Sequence, residues 1–99
     1  MAIAFRTVTL DVPGGSGTKV VTGTAFFSTD VRSAATAING FRLDFANADH
    51  HINVVEVNSE VIGTPGTAVS LRAICQYADK NFDDAYSGRV ELLVIADVA

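Results

Sequence analysis

The stretch Val69-Ser70-Leu71-Arg72-Ala73-Ile74-Cys75-Gln76-Tyr77 decides the fold class. Val69, Leu71, Ala73, Cys75 and Tyr77 share one parity, with Ser70, Arg72 and Gln76 on the other. Successive side chains on a strand point to opposite faces, so this alternation reads as a half-buried antiparallel strand. Phe41, Leu43 and Phe45 alternate with Arg42 and Asp44 in the same way. Outward from these segments, Val, Thr, Ile and Phe dominate and helix signals are nearly absent. Gly and Pro punctuate short runs, the pattern of a sandwich or barrel. Six strands are predicted, at Ile3–Leu10, Lys19–Ser28, Ala34–Ala46, His51–Val61, Ala68–Tyr77 and Gly88–Val98. The expectation is an all-β chain, a six-stranded antiparallel β-sandwich spanning residues 1–99 as one domain.

Between these runs, Asp11-Val12-Pro13-Gly14-Gly15-Ser16-Gly17-Thr18 reads as a loop. Gly63-Thr64-Pro65-Gly66-Thr67 reads as a turn joining neighbouring antiparallel strands. Residues 78–87 read as a polar, acidic loop. The third strand changes parity at Asn39-Gly40, because Ile38 otherwise falls opposite Phe41. A glycine bulge or a hairpin accounts for this, and the bulge is preferred because a split leaves a very short strand.

The last strand is apolar on both faces. Val90, Leu92, Val94 and Ala96 form one, while Leu93 and Ile95 lie on the other. The outer face of a two-layer sandwich normally meets water, so a second protein surface is expected over Leu93 and Ile95. Ile74 joins the same patch if the fifth and sixth strands pair. A homo-oligomer with Ile74, Leu93 and Ile95 in its interface is the expectation. Composition agrees: the chain is 48% hydrophobic and 18% charged, against about 25% charged in average soluble proteins.

With 7 basic residues against 11 acidic ones, the formal net charge is −4. Arg6, Arg32, Arg42, Arg72 and Arg89 are scattered, which argues against a nucleic-acid partner. No apolar run approaches the length of a membrane span. The opening Met1-Ala2-Ile3-Ala4-Phe5-Arg6 lacks the features of a signal peptide, so a cytoplasmic location is the default expectation. Cys75 has no second cysteine to pair with and is expected to be a buried, inert thiol.

Catalytic signatures are missing from the sequence, and an enzyme is not expected. Gly14-Gly15-Ser16-Gly17 precedes no helix and reads as a connection, not a phosphate cradle. Asp49-His50-His51 admits three readings: solvated turn residues, a ligand-contacting or pH-sensitive pair, and a metal site. Asp79, Asn81 and Asp83 place oxygen side chains at alternate positions, like the first half of a calcium loop. The sixth position holds no Gly and the twelfth is Val90, so calcium stands as the alternative to a solvated acidic loop. Otherwise no cofactor or metal is expected. Phe82 and Tyr86 add aromatic rings to these carboxylates and amides, the mixture a sugar site needs.

From about Val20 to Ala96 the order of segments resembles the H-type lectin domain. The segments that carry the resemblance are Gly23-Thr24-Ala25-Phe26-Phe27, residues 37–45, residues 51–57 and residues 90–96. The resemblance implies a six-stranded antiparallel β-sandwich that assembles into trimers or hexamers and binds N-acetylgalactosamine-type sugars at protomer boundaries. It further implies ligand contacts from His51 (or His50) and Tyr77, with Asp79 just beyond. The chain departs from the family in having no Trp, His in place of the usual Arg, no disulfide and a longer acidic loop. The leading expectation is an oligomeric carbohydrate-binding module using His50, His51, Tyr77, Asp79, Asn81, Asp83 and Tyr86. A structural assembly domain comes second and a metal-assisted enzyme third.

Overall fold

The computed structural model describes residues 2–46, 52, 54–78 and 85–99. Six strands form: β1 (Ala2–Gly15), β2 (Lys19–Phe26), β3 (Val31–Phe45), β4 (Val54–Gly63), β5 (Ala68–Ala78) and β6 (Tyr86–Val98). Two three-stranded antiparallel sheets, β1-β6-β3 and β2-β5-β4, make a small β-sandwich. The middle strands are β6 and β5, flanked on both sides and covered by the opposite sheet. That position explains their sequences. Val90, Leu92, Val94 and Ala96 of β6, with Val69, Leu71, Ala73 and Cys75 of β5, are fully buried. Each buried aliphatic side chain of Val or Leu size stabilises the fold by about 1.5–3 kcal/mol.

Three connections depart from strand ends at one pole of the sandwich. Gly15 and Phe45 both pair with Tyr86, and Val54 pairs with Ala78. Ala2 and Ala99 lie at the other pole, where Ala2 and Val31 pair with Val98. There the Val31 N–H donates to the Gly66 carbonyl at 2.9 Å, and the Ala99 N–H to that of Asp30 at 2.8 Å. Gly66, at φ +63°, supplies the left-handed residue of the β4–β5 turn.

The first loop is shorter than its composition suggests. β1 runs on through Asp11, Val12, Pro13 and Gly14 to Gly15, with a register shift between Val12 and Gly15. An edge strand tolerates the missing N–H of Pro13, and burial of Val12 draws the chain back onto β6. Only Ser16–Thr18 remain as connection. Asn39-Gly40 does not turn a hairpin: β3 is continuous, and its register against β6 shifts between Ile38 and Gly40. That shift brings Leu43 back to the core side, where it is buried. Gly40 is not among the glycines with positive φ, so the bulge needs no left-handed residue.

Two glycines in paired strands therefore differ in what they tolerate. A Cβ on Gly88 would overlap the Arg42 carbonyl and the β3 backbone, whereas nothing lies near a Cβ on Gly40. Gly88→Ala is expected to lose about 2–3 kcal/mol of stability through overpacking. Gly40→Ala is expected to be neutral or stabilising by up to about 1 kcal/mol. Urea unfolding of the two variants checks the contrast, and equal losses would refute it.

Candidate functional site

The connection-bearing pole is closed by a row of rings. Phe45 stacks on Tyr77 with centroids 4.3 Å apart and planes at 25°. Tyr77 in turn makes a T-shaped contact with Tyr86, centroids 6.1 Å apart and planes at 74°. β3, β5 and β6 supply one ring each because all three positions have inward parity at the end of a strand. Lys19, the first residue of β2, sits with its ammonium 4.0 Å from the Tyr86 ring centroid. It donates to the Tyr86 carbonyl at 2.6 Å and to the Pro13 carbonyl. The Tyr86 hydroxyl faces the carbonyls of Gly17 at 2.7 Å and Cys75 at 3.0 Å. This network ties the short β1–β2 connection to both sheets.

Burial sets the protonation of the groups beneath the pole. Desolvation holds the Cys75 thiol above its ordinary value, with the Lys19 charge opposing it more weakly. It also raises the Tyr86 phenol, helped by the Cys75 charge and opposed by a backbone hydrogen bond at Tyr77. For Lys19 desolvation works the other way and lowers the ammonium, against a smaller effect of Cys75.

The residues singled out from the sequence fall into three groups. Tyr77 is half-buried at the pole, and Phe45 covers one face of its ring. Tyr86 is not a loop aromatic: it opens β6, is 1% exposed, and spends its hydroxyl on backbone carbonyls. It is a support beneath the pole, because pairing with Gly15 and Phe45 pulls it into the sandwich. His50, His51, Asp79, Asn81 and Asp83 lie outside the described residues. The strand ends from which their two connections depart are joined, the Ala46 N–H donating to the Ala85 carbonyl at 2.9 Å. Sequence reasoning missed Phe45 and Lys19 as parts of this pole. The parity of Phe45 was visible; Lys19, which pairs with Cys75 across β2 and β5, carries no such signal in the sequence.

Leu93 and Ile95 lie on the outer face of the β1-β6-β3 sheet. Thr7 and Ala37 flank Leu93, and Phe5 and Ala35 flank Ile95. Phe5 is 57% exposed and Ile3 55%, so an apolar patch runs across the sheet near the chain ends. Ile74 does not join it. β5 and β6 belong to different sheets, and Ile74 pairs with Val20 and Asn58 on the opposite outer face. Three strands about 4.8 Å apart and three rows of side chains give the Leu93 patch an area of about 300 Å². A stable two-body interface takes about 800 Å² from each partner. No protein-family model, curated protein or solved structure matches the chain.

The buried thiol and phenol give stability an alkaline limit. Each has a raised folded-state value, so its contribution is fully present below the unfolded value and lost as pH rises through the folded one. For Cys75 the loss begins as pH passes the ordinary thiol value, and for Tyr86 as it passes the ordinary phenol value. The lowered Lys19 acts with opposite sign, its penalty fading as the ammonium deprotonates. Urea midpoints between neutral and alkaline pH are expected to fall less steeply in Cys75→Ala than in the parent chain. Parallel declines would show that Cys75 does not set the limit.

Proposed function

We propose that this chain is a self-associating carbohydrate-binding module whose ligand sits at the pole closed by Phe45, Tyr77 and Tyr86. The observation that carries the reading is the aromatic row at the pole from whose strand ends three connections depart. Two of those connections hold His50, His51, Asp79, Asn81 and Asp83. Sugars are bound by aromatic surface against their C–H faces and by amides, carboxylates and imidazoles on their hydroxyls. The reading is one of binding without catalysis. Calcium, if it takes part, belongs with Asp79, Asn81 and Asp83. Self-association draws its support from the outer patch of Phe5, Leu93 and Ile95. Repeating the binding pole in an assembly raises avidity without any new contact to the ligand.

A second reading is a structural assembly domain with no small ligand. It is favoured by the cover that Phe45 gives to Tyr77, which removes one ring face from any sugar. Binding of the labelled protein to a broad glycan panel, with and without calcium, decides between the two. Selective binding is expected, weakened about tenfold in Tyr77→Phe by loss of one hydrogen bond while the ring stack remains. Leu93→Asp is expected to lower avidity and apparent mass together. Absence of binding to every glycan in both conditions would leave the assembly reading in place.

A further inference from the structure

The sandwich has four edge strands, β1 and β3 in one sheet and β2 and β4 in the other. Three of them carry the features that keep sheet edges from pairing with other chains. β1 has Arg6, Asp11, Pro13 and a register shift. β3 has Arg32, Arg42, Asp44 and two register shifts, and β4 has Glu56, Glu60 and one shift. β2 differs. From Val20 to Phe26 it has no charge and no Pro, and its register against β5 is unbroken.

The hydrogen-bond parity of β2 follows from its end. The Phe27 N–H donates to the Thr67 carbonyl at 2.9 Å, so positions of the same parity as Phe27 bond toward β5. The intervening Phe26 carbonyl points outward, where Arg6 Nε donates to it at 3.0 Å. With the register unbroken, Val20, Thr22 and Thr24 turn their N–H and C=O groups to the free edge. Arg6 closes one end of this window. At the other end the chain turns into the network of Lys19.

We propose that the β2 edge is an interface for a second copy of this chain, paired antiparallel about Thr22. Thr22 then faces Thr22 of the second copy, and Val20 faces Thr24 on either side. The window matches itself: its three outward residues are symmetric about the middle one, giving about six main-chain hydrogen bonds. The two β2-β5-β4 sheets become one continuous six-stranded sheet with no edge left undefended. This contact is distinct from the Leu93 patch. It supplies association that an area of about 300 Å² on the outer face does not supply alone.

The test is sedimentation equilibrium of the parent chain, Thr22→Pro, Thr22→Lys and Leu93→Asp, each checked for folding by circular dichroism. Because the Thr22 N–H points outward, Pro there removes an intermolecular bond and leaves the β2–β5 ladder whole. Leu93→Asp is expected to be a dimer at high micromolar concentration, the parent chain to exceed a dimer in mass because its outer patch is intact, and both Thr22 variants to be monomers. Hydrogen exchange provides a readout without substitution. Protection at the Val20, Thr22 and Thr24 amides is expected to rise about tenfold from dilute to concentrated protein, with Val21 and Gly23 protected throughout. A parent chain that stays monomeric with fast exchange at those amides would overturn the proposal and leave the edge to a foreign strand. Dissociation by Leu93→Asp alone would also overturn it, and would leave the outer-face contact standing.

Discussion

The inward row of β5 meets the inward row of β6, and the rest of the sandwich is arranged around that contact. Val69, Leu71, Ala73 and Cys75 on one side and Val90, Leu92, Val94 and Ala96 on the other lose all contact with water. Each of these two strands must be central, because an edge position would leave its row partly wet. Centrality requires a strand on either side, which β1 and β3 provide for β6 and β2 and β4 for β5. The remaining inward positions have only to fill the rim. Leu10, Val12, Ala25 and Phe27 do so along one side, with Leu43 on the other. Glycine at positions 23 and 88 lets neighbouring chain approach where a methyl group would collide.

Much of this architecture was legible because it is local. Period-two alternation in residues 69–77 and 41–45 announced strands, and the parity break at Asn39-Gly40 announced the bulge. What the sequence withheld was partnership. Whether β5 and β6 share a sheet depends on pairings between residues far apart in the chain, and no pattern within either strand reports it. Ile74 joins Leu93 only if the two strands pair, and in their separate sheets it faces the opposite side of the molecule. The strand residues 11–15 were hidden for a related reason. Pro and Gly normally break strands, and only an edge position and the burial of Val12 allow them here.

The aromatic pole was legible in its chemistry more than in its geometry. Tyr77 stood out as the aromatic end of an alternating strand, and it does sit at the pole. Ala85-Tyr86-Ser87 reads as loop in the sequence, whereas Tyr86 opens β6 with two carbonyls within reach of its phenol inside the sandwich. Lys19 was passed over because a lysine at the start of a strand is usually solvated. Here it crosses the end of the sandwich to bond two carbonyls and rest on a ring, contacts that exist only once both sheets are in place.

The placement of the two chain ends has a mechanical consequence. Ala2 and Val98 are direct antiparallel partners on neighbouring strands, at one end of a body 50 Å long. Tension applied between them acts across the β1–β6 ladder, not along it. Its hydrogen bonds meet that load a pair at a time, starting from Ala2, and do not share it as they would in shear. A load between Ala2 and Val98 would therefore peel β1 from β6 beginning at that pair, with the Tyr86 network at the far pole the last to feel the pull.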